Sequence, residues 1–278
     1  MRMDTRVWLD GRIVGPDQAR VAALDHGLTV GDGVFETVKV VRGVPFALTR
    51  HLRRLAASAA GLGLPAPDED LVRSAVAALL AEPGRPDPAR LRITCTGGPS
   101  PLGSERGDGP PTLWVALGPL PAPAAAASVA VVPWTRNERG ATAGLKTTSY
   151  AENVVALAHA RRRGATEAVF ANTVGQLCEG TGSNVFLGHE GRLVTPSLAS
   201  GCLAGVTRGL LLEWTDAMEV DLPVAALAAA PEAFLASTTR DVQPIQVVDG
   251  VPLPVAPGPL TRAAAAAFAR RSAAAPDP

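Results

Sequence analysis

Residues 143–150, AGLKTTSY, contain the side chain best suited to covalent chemistry with a carbonyl group. The 278-residue sequence has 26 basic residues, yet only two of them are lysines, Lys39 and Lys146. Lys146 stands among small, apolar and hydroxyl residues with no carboxylate beside it, and the only tyrosine, Tyr150, follows four residues later. Such a setting disfavours the charged ammonium, and a neutral amine is what Schiff-base formation with an aldehyde requires. The ordinary alternative is a solvated surface lysine.

An acidic residue beside a glycine-rich turn could supply a second part of this chemistry. In QLCEGTGSNVF, residues 176–186, Glu179 ends an apolar segment and precedes Gly180-Thr181-Gly182. An anionic carboxylate could hold a pyridine nitrogen in its protonated form and so let the ring accept electrons. The alternative is a glutamate that is simply exposed before a tight turn.

Three further segments could hold a phosphate group. AGVTRGLLLEW places Gly205, Val206 and Thr207 at a predicted helix start, where backbone amides and the helix dipole favour an anion. The other candidates are the arginines of RHLRRL (Arg50, Arg53 and Arg54) and the hydroxyls of FLASTTRDVQPI (Ser237, Thr238 and Thr239). A reactive lysine, a partner for a ring nitrogen and a phosphate cradle together predict pyridoxal 5'-phosphate as the cofactor.

These motifs, in this order, resemble those of the class IV aminotransferases, which are fold type IV pyridoxal-phosphate enzymes. The group includes branched-chain aminotransferase, D-amino acid aminotransferase and aminodeoxychorismate lyase. The resemblance runs from about Trp8 to Gly250 and rests on GDGVFETVKV, HLRRL, LKTTSYAEN, CEGTGSNVF, AGVTR and STTRDVQPI. It implies an α+β fold with a small N-terminal α/β domain and a larger C-terminal α+β domain that contains a barrel-like sheet. It also implies a homodimer that acts on a small-molecule substrate.

The resemblance assigns roles to single positions. Lys146 matches the Schiff-base lysine that also moves the substrate proton, and Glu179 matches the partner of the pyridine nitrogen. Tyr150 lies near the position from which a tyrosine of some relatives bonds the phenolic oxygen of the cofactor. The residues implied for the phosphate group are Arg54, Val206, Thr207 and Thr238. Arg50 and Arg53 are expected on a solvated helix face.

The substrate pocket is implied less specifically. Phe35, Glu36 and Thr37 follow GDGV on a strand that lines the pocket in the family. D-amino acid aminotransferases have a tyrosine at the Phe35 position, and they bind the carboxylate through an arginine and a histidine on a later loop. Here that loop reads TGGPSPLGSERGDG, so this carboxylate trap is expected to be absent. Arg106 could supply a substitute charge or be a solvated loop residue, and Thr239 is a further candidate for substrate binding.

Thr37 decides which reaction the resemblance favours. Aminodeoxychorismate lyases have a threonine there and branched-chain aminotransferases a glycine, although threonine is also an ordinary strand residue. Glu36 instead resembles the aminotransferases. We therefore expect a lyase that converts 4-amino-4-deoxychorismate to p-aminobenzoate and pyruvate for folate synthesis, with Lys146 and Thr37 as its catalytic residues.

The alternative is amino transfer between branched-chain or D-amino acids and 2-oxo acids. A binding protein that lost the chemistry is a third possibility, against which Lys146 and Glu179 argue.

Composition limits the class of protein. Apolar residues make up 47% of the chain and the formal net charge is zero, so neither nucleic acid nor an anionic membrane is expected as a partner. Neither a signal peptide nor a spanning segment is expected from the sequence. Three widely spaced cysteines argue against a disulfide framework, and four scattered histidines argue against a metal site. A cytoplasmic protein is expected.

The order of predicted strands and helices suggests two domains. We expect a small domain over residues 1–118, a proline- and alanine-rich linker over 119–128, and a larger cofactor-binding domain over 129–270. The alanine-rich residues 271–278 are expected to form a disordered tail.

Overall fold

The computed structural model describes residues 5–278 and contains, over that range, fifteen strands, seven α-helices and one 3-10 helix. The strands are β1 Arg6–Leu9, β2 Arg12–Val14, β3 Gly33–Val41, β4 Val44–Pro45, β5 Ala89–Thr96, β6 Thr112–Pro119, β7 Ala127–Arg136, β8 Glu167–Asn172, β9 Leu177–Gly180, β10 Asn184–His189, β11 Arg192–Thr195, β12 Met218–Glu219, β13 Ala233–Ser237, β14 Asp241–Val248 and β15 Val251–Pro252. The helices are α1 His26–Thr29, α2 Leu48–Gly61, α3 Glu69–Ala81, α4 Ala151–Arg162, the 3-10 helix Leu198–Ser200, α5 Val206–Trp214, α6 Ala226–Ala229 and α7 Pro259–Ala274.

The chain forms two compact units. The first comprises Met1–Ala122, Leu145–Tyr150 and Pro276–Pro278, and the second comprises Pro123–Gly144 and Ala151–Ala275. The first four residues of the predicted N-terminal domain lie outside the described residues.

An antiparallel sheet with the order β2-β1-β6-β5-β3-β4 forms the centre of the first unit. Strand side chains alternate between the two faces of a sheet. On β3 the even-numbered residues, such as Val34 and Val38, pack in one core with Leu52 of α2 and Val76 of α3. The odd-numbered residues of β3, including Phe35, therefore lie on the opposite face.

A closed barrel forms the centre of the second unit. Its sheet runs β12-β11-β10-β13-β14-β7-β8-β9, and β9 pairs back with β10 through Glu179 and Asn184. This last pairing closes six strands into a ring, so the expected barrel-like sheet is confirmed. Apolar residues of these strands, among them Val129, Val185 and Leu235, are buried in one cluster. On another surface, Ala156 and Ala160 of α4 pack against residues of β7 and β8.

The structure corrects the predicted domain division at Lys146. The chain passes from the first unit to the second between Ala122 and Pro123, within the predicted linker. Leu145–Tyr150, however, returns to the first unit, although residues 129–270 were predicted to form one domain. The cause is backbone pairing with β3, because the Phe35 amide donates to the Lys146 carbonyl at 3.1 Å and the Thr148 amide donates to the Gly33 carbonyl at 2.8 Å.

The prediction of a disordered tail over residues 271–278 was wrong. Residues 271–274 continue α7, and the chain beyond it bonds to the start of α2. The Pro276 carbonyl accepts a hydrogen bond from the Ala47 amide at 2.7 Å, and the Asp277 carboxylate accepts from both the amide and the hydroxyl of Thr49. These partners satisfy groups at the first turn of α2, which have no partner within the helix. In the whole range 5–278, no helix combines the length and the hydropathy needed to cross a bilayer.

Candidate active site

The backbone around Lys146 is held on two sides. On one side, the segment pairs with β3 through the hydrogen bond from the Phe35 amide to the Lys146 carbonyl and through an isolated bridge between Val34 and Thr147. On the other side, the Lys146 amide donates to the buried Ser58 hydroxyl of α2 at 3.1 Å. Sheet and helix together therefore fix the point from which the lysine side chain extends.

Three residues predicted from the sequence meet in the first unit: Phe35, Lys146 and Tyr150. The Lys146 Nζ atom lies 3.4 Å from the Tyr150 hydroxyl and 4.3 Å from the centre of the Phe35 ring. The Phe35 and Tyr150 rings pack edge to face with centroids 5.1 Å apart. We call these three residues the lysine cluster. Its amine lies against two aromatic rings and a hydroxyl.

Arg92 of β5 joins the lysine cluster, although the sequence analysis did not select it. Its guanidinium carbon lies 3.7 Å from the centre of the Phe35 ring. The antiparallel register places Arg92 directly opposite Thr37, so both lie on the sheet face that carries Phe35. Burial lowers the pKa of the Arg92 guanidinium, against the opposing effect of Tyr150, but an arginine remains protonated in proteins. This face therefore presents an amine, a hydroxyl and a fixed positive charge.

A buried carboxylate on the other face of β3 holds Arg54. Glu36 is fully buried and accepts from Arg54 Nε and Nη2, each at 2.7 Å, and from His51 Nδ1 at 2.6 Å. Burial alone would raise the pKa of Glu36, but the charge and hydrogen bonds of Arg54, with help from His51, lower it to about 2. Burial lowers the pKa of His51, so a neutral His51 donates from Nδ1. Glu36 thus sets the direction of the Arg54 guanidinium, whose role as a phosphate ligand stays a prediction.

Arg106 has a structural position that argues against substrate binding. Its Nε and Nη2 atoms each donate to Asp32 at 2.7 Å, and its guanidinium also donates to the Leu62 and Gly63 carbonyls. These contacts attach the loop between β5 and β6 to the end of α2. The substitute carboxylate trap considered for Arg106 is therefore not supported, because the guanidinium is already engaged by protein acceptors.

In the second unit, Glu179 lies on β9 between a backbone amide and an arginine. One carboxylate oxygen accepts from the Leu203 amide at 2.9 Å, and the other lies 3.4 Å from Arg136 Nε. Arg136 is held by Glu152 and Asn153 and lies over the Phe170 ring at 4.3 Å. A donor and a cation favour an ionised carboxylate. Arg136 was also missed by the sequence analysis.

The start of α5 is connected to Glu179 by the same loop. The Leu203 carbonyl accepts from the Gly205 amide at 2.7 Å and from the Asn184 side chain at 2.9 Å. Val206 and Thr207 begin the helix, and the N-cap residue, Gly205, has no side chain with which to cap it. A Cβ atom at Gly205 would collide with the Asn184 side-chain oxygen, so any other residue there would require Asn184 to move. The amides of this first turn are suited to an anion.

The hairpin between β13 and β14 presents the remaining predicted hydroxyls. The Arg240 amide donates to the Ser237 carbonyl at 3.2 Å and Asp241 has a φ of 55°, which together make a tight turn with Thr238 and Thr239 at its tip. The Ser237 hydroxyl oxygen is buried and makes no hydrogen bond within residues 5–278. A buried hydroxyl usually has a partner, so this oxygen is suited to a bound polar group.

These groups fit the parts of pyridoxal phosphate. The first unit supplies an amine for the aldehyde, and the second supplies a carboxylate for the ring nitrogen. The second unit also supplies a helix start with a glycine N-cap and a buried hydroxyl for the phosphate. Each group is matched to one part of the cofactor by its chemistry, separately in each unit.

Comparison with known proteins decides the family. Residues 33–248 match the family model described as amino-transferase class IV. The chain belongs to this family. A relative from Mycobacterium tuberculosis, named bifunctional aminodeoxychorismate lyase / D-amino acid transaminase, is 32% identical over 90% of this chain and 93% of its own length.

Solved structures agree with that assignment. The branched-chain aminotransferase of Thermoproteus uzoniensis, solved with norvaline, is 30% identical and has a TM-score of 0.87 over 95% of this chain and 93% of its own. A hypothetical aminotransferase from M. tuberculosis, solved in a PLP-bound form, is 28% identical with a TM-score of 0.85 over 99% of this chain and 100% of its own. The expected family, fold type and enzyme class are confirmed. Pyridoxal phosphate is the cofactor of class IV aminotransferases, so the expected cofactor is confirmed with them.

Replacing Glu36 with Gln should destabilise the protein and make its free energy of unfolding depend less on pH below 4.5. The folded-state pKa of Glu36 lies below its ordinary value of 4.5, so the ionised carboxylate stabilises the fold above pH 4.5. This contribution, roughly 3 kcal/mol, is lost as the pH falls from 4.5 towards 2. Urea unfolding at several pH values measures the effect.

Glu69→Gln is the matched control, because the Glu69–Arg73 pair is exposed and contributes little. If the wild-type protein and Glu36→Gln lost stability in parallel below pH 4.5, the buried ion pair would not act as described.

Proposed function

We propose that this chain is a 4-amino-4-deoxychorismate lyase that forms p-aminobenzoate and pyruvate, a step of folate synthesis. The observation that carries the proposal is the position of Thr37, on the face of β3 that carries Phe35 and directly opposite Arg92. A hydroxyl and a fixed cation are suited to a substrate that has both a carboxylate and an ether oxygen. The lyase named among the relatives supports the same choice.

The contacts proposed for pyridoxal phosphate follow from the chemistry of each side chain or amide taken singly. When bound, the cofactor supplies an aldehyde for the substrate amine and a ring that accepts electrons. Glu179 would keep a proton on the ring nitrogen, since Arg136 and the Leu203 amide stabilise its carboxylate. Phosphate contacts are proposed for Arg54, Val206, Thr207 and Thr238, and Tyr150 would bind the phenolic oxygen.

The lysine cluster would move protons at the substrate. Lys146 Nζ would remove the proton from the ring carbon that bears the amine, beside the Tyr150 hydroxyl. Loss of this proton and of the enolpyruvyl group makes the ring aromatic, so the overall change needs no oxidant. Thr37 would donate a hydrogen bond to the departing ether oxygen, and the Arg92 guanidinium would bind a substrate carboxylate.

Amino transfer is the second candidate function. Glu36 resembles the residue of the aminotransferases, and the relatives include a D-amino acid transaminase and a branched-chain aminotransferase. Phe35 and Tyr150 would form an apolar wall for a side chain, and Arg92 would bind the α-carboxylate. Lys146 would then carry a proton from the substrate α-carbon.

A homodimer in the cytoplasm belongs to the same proposal. Large apolar side chains are exposed in each unit, for example Leu28 at 69% in the first and Val154 at 66% in the second. Where such side chains form a patch, the patch marks an association surface. The free, buried cysteines Cys95, Cys178 and Cys202 fit a reducing compartment.

Two assays on one preparation test the proposal. We expect the purified protein, loaded with pyridoxal phosphate, to release p-aminobenzoate from aminodeoxychorismate, and Thr37→Val to slow this release while retaining the bound cofactor. The second assay follows conversion to the pyridoxamine form when L- or D-amino acids are added. Rapid conversion without any p-aminobenzoate would reverse the order of the two candidate functions.

Arg92→Met should weaken substrate binding without changing the cofactor spectrum. Loss of one charge-assisted hydrogen bond predicts an increase in KM of roughly 10- to 100-fold. Arg90→Met is the matched control, because Arg90 lies on the same strand and face, opposite Lys39, one step further from Phe35. Steady-state kinetics measures the effect, and equal KM values for the two variants would exclude Arg92 from substrate binding.

A further inference from the structure

We infer that Glu167 and Arg240 are positioning residues that lock two cofactor-binding turns of the second unit into one arrangement. The inference rests on the proposed function, because it concerns how the cofactor site is held. The two turns are residues 180–183, directly after Glu179, and the hairpin tip 237–241, which carries Thr238 and Thr239.

Glu167 is the central acceptor of this arrangement. It begins β8, and its side chain is 1% exposed. One oxygen accepts from the Thr181 amide at 3.2 Å, from the Thr181 hydroxyl in a short hydrogen bond, and from the Ala168 amide at 3.1 Å. The other oxygen accepts from the Ser183 hydroxyl at 3.4 Å. A single carboxylate therefore holds both ends of the first turn.

Arg240 links the same carboxylate to the second turn. Its Nη2 atom lies 2.8 Å from Glu167 Oε2. Arg240 is the last residue of the tight turn that its own amide closes on Ser237, immediately before Asp241 with its φ of 55°. The ion pair thus fastens the tip of the hairpin to the first turn.

Strand pairing brings the two turns to the same end of the barrel. Asn184, which follows the first turn, pairs with Ala236, which precedes the second. Without a common anchor, two adjacent tips of glycine, serine and threonine residues would move independently. A buried carboxylate, in contrast, requires its donors in place, since an unpaired charge is strongly disfavoured there.

The consequence concerns affinity for the cofactor. A site holds its ligand well when its groups are fixed before binding. Glu167 and Arg240 are not catalytic residues in this account. They act on Glu179, Thr238 and Thr239 by fixing the turns that carry them.

Hydrogen exchange and cofactor titration together test the inference. In the apoprotein, Arg240→Met should speed exchange of the Thr181 amide, which is distant in sequence but shares Glu167. The dissociation constant for pyridoxal phosphate, followed by absorbance well below the unfolding temperature, should rise by roughly tenfold or more, as when outer partners of metal ligands are removed. Arg240→Lys keeps the charge and should restore most of both properties.

Arg163→Met is the matched control, since it removes an arginine from an exposed ion pair with Asp249 in the same unit. It should change neither the Thr181 amide nor the affinity. Unchanged Thr181 exchange and an affinity within twofold of wild type in Arg240→Met would overturn the inference. A wild-type protein that bound no pyridoxal phosphate would instead overturn the proposed function, while the exchange measurement would still test the link between the turns.

Discussion

Backbone pairing between β3 and residues 146–148 is the constraint on which the lysine cluster depends. Lys146 belongs, by position in the chain, to the segment between β7 and α4, yet two hydrogen bonds with β3 attach it to the first unit. The same strand presents Phe35 and Thr37 on one face and Glu36 on the other. The alternation of a single strand therefore separates the face that carries the lysine cluster and Arg92 from the buried face that holds Arg54.

Carboxylates paired with arginine recur as the means of fixing polar groups, and two of them, Glu36 and Glu167, are buried. Glu36 holds Arg54, Arg136 lies beside Glu179, and Arg240 binds Glu167. Each pair is completed by further donors, namely His51, the Leu203 amide and the Thr181 amide. Compared with apolar residues of similar volume, a buried ion pair adds little net stability, but removal or protonation of one partner is strongly unfavourable. Such pairs therefore determine where side chains point more than how stable the fold is.

The sequence predicts those features whose chemistry is local. A lysine without acidic neighbours, a glutamate before a glycine-rich turn and an uncapped helix start can all be recognised within a few residues, and the structure has Lys146, Glu179 and Val206 in those settings. Arg92 and Arg136 could not be found in this way, because their importance depends on strand register and on partners from other elements. In the sequence, Arg106 looked available to bind a substrate carboxylate. Its acceptor Asp32 lies 74 residues away in the chain, so this contact could not be recognised locally. The last residues looked disordered because the groups that hold them are also distant in sequence. The amide and the hydroxyl of Thr49 donate hydrogen bonds to Asp277.

The central claim is that Lys146 is the residue that binds the cofactor covalently. Borohydride reduction of the protein loaded with pyridoxal phosphate, followed by mass mapping of its peptides, tests this claim most directly. We expect a pyridoxyl group on the peptide that contains Lys146 and nowhere else. Label on Lys39, or a protein with no label at all, would contradict the account.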